Sequence, residues 1–143
     1  MSNMLADVRE FVVATRKDAT ADFGILPDRP CLNSPKAKLC IRLIQEECGK
    51  ELVGGLRDGD LVAIADGIVD SMYVILFTAL YYGIPVDAVW NAVQAAAMSK
   101  RWPDGKFHHD AGNKVIKPPG WKHPDIAKIL LDAGWMPGER GDE

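Results

Sequence analysis

"DLVAIADGIVDSMYVILFTALYYGIPV", residues 60–86, decides the fold. From Leu61 to about Tyr82 it is apolar on most sides, too long for a strand and suited to the centre of a helix bundle. Asp60 is placed to cap its start, and Gly83 and Pro85 to end it. The charge-free part, Ser71 to Val86, is short for a membrane span and is broken by Gly83-Ile84-Pro85. Asp66 and Asp70 sit directly upstream. The stretch therefore reads as a buried core helix, with no membrane partner.

Working outward, "RDGD" (57–60) is a tight turn that makes the preceding helix an antiparallel neighbour. That helix is expected from about Pro35 to Leu56. Ser34 would cap it and Pro35 would take its first position. Leu39, Leu43 and Ile44, joined later by Leu52 and Leu56, give its apolar face. A first helix places Leu5, Val8, Phe11 and Val12 on one side. "PVDAVWNAVQAAAMSK" (85–100) reads as a fourth helix with Val86, Val89, Trp90 and Val93 inward. Residues 101–123, rich in Gly, Pro, Lys and His, read as an ordered or substrate-gated loop. "PDIAKILLDAG" closes as a short fifth helix, and "MPGERGDE" as a frayed tail. No alternating strand is evident. The expectation is an all-α antiparallel bundle of about five helices.

The 143 residues fit one domain, 1–143, with a core over about 20–130. Apolar residues make up 48% and charged residues 26%, ordinary values for a soluble globular chain. A net charge of -3 and a pI near 5.6 argue against a general nucleic-acid binder. Cys31, Cys40 and Cys48 form no CxxC pair and no Cys/His zinc spacing. An odd cysteine count without a signal peptide fits a reducing cytoplasm. Cys40 and Cys48, eight apart, are expected in the core.

The chemistry lies in charge. Glu47 and Glu51 are four apart, roughly 40° around a helix, and Glu46 is adjacent. By themselves they are a solvated face, with Lys50 pairing locally, or half of a metal site. Asp66 and Asp70 repeat the spacing on an otherwise apolar helix, where unpaired carboxylates are costly to bury. Either Arg42 or Lys50 pairs with them, or a cation does, and oxygen ligands point to Mg²⁺ or Mn²⁺. From Lys100 to Lys128 the chain has six lysines and one arginine against Asp104, Asp110 and Asp125. That segment is a solubilising loop or a phosphate-binding one. Trp102 and Trp121 could stack a base or pack internally. His108 and His109, being adjacent, have no assigned role. Gly-rich phosphate loops, GxSxG and dinucleotide fingerprints are absent.

Four passages resemble the MazG-like all-α nucleoside triphosphate pyrophosphohydrolases, in the phage and bacterial branch similar to phosphoribosyl-ATP pyrophosphohydrolase. They are "FGILPDRP", "RLIQEECGKEL", "DLVAIADGIVDSMYVILFTALYYGIPVDAVW" and "MSKRWPDGKFHHDAGNKVIKPPGWKHPDI", together spanning about 20–130. The resemblance implies a helical fold completed by oligomerisation, as a homodimer or homotetramer. It implies cleavage of a (deoxy)nucleoside triphosphate, with a purine such as dGTP as one candidate, to the monophosphate and pyrophosphate. Glu46, Glu47, Glu51, Asp66 and Asp70 would hold two or three Mg²⁺ or Mn²⁺ ions. Glu46 or Glu47 would orient or deprotonate the attacking water. Lys100, Lys106 and Lys117 would neutralise the pyrophosphate, and Trp121 would contribute to substrate binding.

This chain departs from the family's EExxE and ExxD motifs in two places. The third glutamate, expected at Lys50, stands at Glu51. The glutamate expected at Gly67 is missing, and Asp66 stands beside it. Both shifts leave i,i+4 pairs, so either they compensate or a local helix irregularity restores the face. The branch's "SNMSK" is also replaced by Ala96-Ala97-Met98-Ser99-Lys100, without the asparagine. The alternatives are a phosphoribosyl-ATP pyrophosphohydrolase or a non-catalytic helical oligomer that binds nucleotide or a partner.

Overall fold

A computed structural model describes residues 3–15, Gly24, Pro27 and residues 33–138. Cys31 and most of "FGILPDRP" lie outside the described residues. The chain forms two compact units. The first takes in the described residues up to Ile84 and residues 136–138; the second spans Pro85–Trp135. The fold is all-α, with five helical rods and one small two-stranded ribbon among the described residues.

In the first unit, α1 spans Met4–Thr15. The next rod is continuous but not uniform: α2 (Pro35–Ile44) runs into a π-helical segment (Gln45–Leu52) and then α3 (Val53–Asp58). Helix α4 spans Leu61–Tyr81. Local chemistry sets the ends. Ser34 Oγ accepts from the Ala37 N–H (3.1 Å), and Pro35 follows as expected. Gly59, at φ 67°, ends α3 in a conformation that favours glycine. Asp60 Oδ1 accepts from the N–H groups of Val62 (3.0 Å) and Ala63 (3.1 Å), starting α4 within one residue of that stop. The result is a tight helical hairpin.

The hydrophobic core fills the open end of this hairpin. Val8, Val12, Cys40, Phe77 and Leu80 are buried together, with Leu5, Leu39, Leu43, Tyr73 and Leu76 against them. Phe11 stays half exposed but meets Tyr73 edge-on at 5.7 Å. Cys40 is buried as expected, whereas Cys48 is only partly so. Nearer the turn the two rods approach through glycine. A Cβ on Gly55 would lie 3.1 Å from Ala63 C, and one on Gly67 would lie 2.9 Å from Leu52 Cα. Leu56, expected to face inward, is 60% exposed, because Gly55 takes the inner position.

Helix α4 is not wrapped on all sides. Gly67, Ser71, Val74, Phe77 and Leu80 form its buried stripe. Leu61, Val62, Ile68, Val69, Met72 and Ile75 are exposed, Val62 by 79%. The core-helix reading therefore holds for one face only. By length and composition α4 is apolar enough to cross a membrane, and 17% of its most apolar stretch is buried.

In the second unit, α5 (Val86–Met98) precedes strands β1 (His108–His109) and β2 (Val115–Ile116), and α6 (Ile126–Asp132) follows. The strands pair antiparallel, His108 opposite Ile116. Their turn is held by Asp110 Oδ1, which accepts from the N–H groups of Gly112 and Lys114 (2.9 Å each). Asn113 takes φ 65°, which asparagine tolerates better than most residues. The loop expected over 101–123 thus carries a small ribbon. Trp90 and Val93, expected inward on α5, are 67% and 47% exposed.

Candidate active site

The acidic residues lie between the core and the hairpin turn. Glu46, Glu47 and Glu51 project from the π segment, and Asp66 and Asp70 from α4. Leu52 meets Gly67 while Gly55 meets Ala63, so the two rods run antiparallel. Counting back from these contacts brings the level of Glu47 to that of Asp70 and its neighbours.

Electrostatics joins the five side chains. Partial burial, then Asp70, Glu51, Glu46 and Asp66 in that order, hold the Glu47 carboxyl above its ordinary value of 4.5. Glu47 therefore feels all four other carboxylates. Among the described residues the ion pairs are His108 with Asp104 and Lys128 with Asp132, and neither involves any of the five. The pairing of Asp66 or Asp70 with Arg42 or Lys50, weighed from sequence, is not formed.

A π segment explains how these residues share a face. In an α-helix the residue one turn above Glu46 would be Lys50. With i→i+5 bonding it is Glu51, and the surplus residue is absorbed within the segment. The glutamate one position late in sequence is thus returned to the acidic side. Gly67 is no vacant ligand position: its Cα faces the Leu52 backbone, leaving no room for a side chain. The aspartates at 66 and 70 flank that contact.

In the arrangement seen, no three Asp, Glu, His or Cys side chains among the described residues stand close enough to hold a metal ion. The donor set still fits a hard divalent cation. It is all carboxylate oxygen, without an ion-pair partner among the described residues, and Glu46, Glu51 and Asp66 are exposed.

The second unit gathers two of the three lysines singled out from sequence. Lys100 Nζ and Lys117 Nζ lie 5.4 and 4.8 Å from the centre of the Trp121 ring. The Trp121 indole N–H donates to Ala96 O and Ser99 Oγ (2.9 Å each), anchoring residue 121 to the end of α5. Lys106 stands elsewhere, in a turn whose backbone bonds Trp102 (2.8 Å). Trp102 stacks on His108 at 4.4 Å and donates its indole N–H to Ile116 O, so both tryptophans have internal partners. Sequence reasoning left His108 unassigned. It meets Asp104 Oδ2 at 2.7 Å. The Lys106 N–H, then the His108 side chain, hold the Asp104 carboxyl below its ordinary range. The signal was the i,i+4 spacing of Asp104 and His108.

The family model described as phosphoribosyl-ATP pyrophosphohydrolase matches residues 28–97, 70 of the 143 residues. The matched segment is similar to that family, and the likeness supports a nucleotide pyrophosphohydrolase-type activity. It contains all five carboxylates and ends before Lys100, Lys106, Lys117 and Trp121. Among curated proteins, none matches the chain significantly.

Proposed function

We propose that the protein is a divalent-cation-dependent pyrophosphohydrolase of (deoxy)nucleoside triphosphates, releasing the monophosphate and pyrophosphate. The observation that carries this reading is the Glu47 carboxyl. It feels Glu46 and Glu51 on its own segment and Asp66 and Asp70 across the hairpin, with no cationic partner among the described residues, inside the matched segment. Glu46, Glu47, Glu51, Asp66 and Asp70 would hold two or three Mg²⁺ or Mn²⁺ ions. Bound there, such ions polarise phosphate oxygens and lower the pKa of water.

The chain's own part is positioning and proton transfer. Glu46 or Glu47 orients a water against the α-phosphorus and takes its proton. The new bond joins the water oxygen to that phosphorus, and the bond to the bridging oxygen breaks, releasing pyrophosphate. A carboxyl held above its ordinary range is the better base of its kind, which favours Glu47 for the proton. Lys100 and Lys117 beside Trp121 form a cluster with the sign that a triphosphate needs. The exposed stripe of α4 is apolar enough to be covered by a second copy, so we take the working form to be a homodimer or a pair of dimers.

A purine deoxynucleotide such as dGTP is the substrate we place first. Phosphoribosyl-ATP is a second reading, favoured by the description of the matching family. The test is a panel of (d)NTPs and phosphoribosyl-ATP with Mg²⁺ or Mn²⁺, separating monophosphate plus pyrophosphate from diphosphate plus phosphate. Inactivity on every substrate with either ion would overturn the proposal, as would full activity in Asp70→Ala.

A further inference from the structure

The contact between Gly67 and Leu52 does more than bring two helices together. A Cβ on residue 67 would lie 2.9 Å from Leu52 Cα, 3.1 Å from its N and 3.2 Å from its Cβ. Two of these neighbours are backbone, which cannot swing aside. Leu52 is the last residue of the π segment. A π turn holds more residues than an α turn, so its backbone stands further out from the axis. It can lie against α4 only where α4 offers bare backbone, and Gly67 does so. We propose that Gly67 is a positioning residue. It seats the π segment, and the π segment decides whether Glu51 or Lys50 joins the acidic face.

The choice matters because the two side chains have opposite charge. With the π segment seated, Glu51 acts on Glu47, and Lys50 forms no ion pair with any of the five carboxylates. With regular α bonding, Lys50 takes that place, four residues on from Glu46. An ammonium there neutralises the carboxylates and occupies the space of a cation. The sequence peculiarities at 51 and 67 are then one feature: a surplus residue in one rod and a missing side chain in the other. This inference rests on the reading of the acidic face as a divalent-cation site.

Three variants test it: Gly67→Ala, deletion of Lys50, and the two combined. Deleting Lys50 removes the surplus residue, so a regular helix carries Glu51 four residues on from Glu46 and needs no seat. Two readouts are taken on the full chain: Mn²⁺ binding by calorimetry, and NMR couplings across hydrogen bonds, which identify i→i+5 pairs without metal. Gly67→Ala is expected to lose the i→i+5 couplings over 45–52 and to bind Mn²⁺ about tenfold or more weakly. The deletion and the double variant are expected to bind close to wild type. If Gly67→Ala fails to fold, recovery of folded, Mn²⁺-binding protein in the double variant supports the inference. A double variant as impaired as Gly67→Ala overturns it, since Gly67 is then a packing spacer alone. So does an unchanged coupling pattern in a folded Gly67→Ala. Absence of Mn²⁺ binding in wild type defeats the cation-site reading instead, and the couplings still judge the seat.

Discussion

Asp70 raises the pKa of Glu47 across the gap between two antiparallel rods, second only to the partial burial of Glu47 itself. The pair is repulsive, and the fold tolerates it. Because the folded pKa of Glu47 lies above its ordinary value, the penalty is absent below that value. It grows as pH rises through the ordinary value towards the folded one, and is complete above it. Glu47→Gln should therefore raise the melting temperature of metal-free protein at neutral pH. The difference should vanish in acid below the ordinary carboxylate range. Melts at several pH values with a chelator present check this, and a lower melting temperature for Glu47→Gln at neutral pH would contradict it.

A cation that binds the folded chain alone stabilises it by mass action, about 2.7 kcal/mol at a hundred times its Kd. Mn²⁺ should raise the melting temperature of wild type and leave Asp70→Ala nearly unmoved. Thermal melts over a Mn²⁺ series, with Ca²⁺ in parallel, provide the measurement. Equal shifts in the two proteins would remove Asp70 from the site.

Ser71 is buried on the hairpin face of α4, and its Oγ has no hydrogen-bond partner among the described residues. Thr78, two turns on, instead donates to Val74 O at 2.8 Å. A buried hydroxyl without a partner costs roughly 1–3 kcal/mol. Ser71→Ala should be neutral to stabilising in denaturant unfolding, by up to about that amount. A loss of 1 kcal/mol or so would mean that the hydroxyl is satisfied in solution.

Asp60 accepts from both Val62 and Ala63 and starts α4 directly after the Gly59 turn. Asp60→Ala should cost about 1 kcal/mol, and Asp60→Asn much less. Urea unfolding of the two variants separates the loss of the cap from the loss of the charge.

Local chemistry made much of this fold legible. The caps at Ser34 and Asp60 and the stops at Gly59 and Gly83 depend on their immediate neighbours, and sequence showed them. Val8, Val12 and Cys40 were legible from spacing. The π segment was legible only as the local irregularity that the late Glu51 suggested; its seat, Gly67, lies fifteen or more residues away. From sequence, Gly67 looked like a lost ligand, since only the neighbouring rod reveals what fills the space. The exposed side of α4 was misread for a related reason: composition gives how apolar a helix is, not which of its faces its own chain covers. The ribbon at 108–116 escaped because two-residue strands show no alternation, although Asp110, Gly112 and Asn113 are turn-formers. The acidic residues were legible as a set, and Lys106 was grouped with Lys100 and Lys117 only by proximity along the chain.

The uncovered side of α4 bears on how the protein behaves in the tube. Where a second copy supplies that cover, folding and association are linked, and stability depends on concentration. Dilution should lower the melting temperature, and kosmotropic salts such as sulfate, which strengthen apolar burial, should restore it. Polar substitutions at Val62 and Val69, both outside the core, should make the melt independent of concentration.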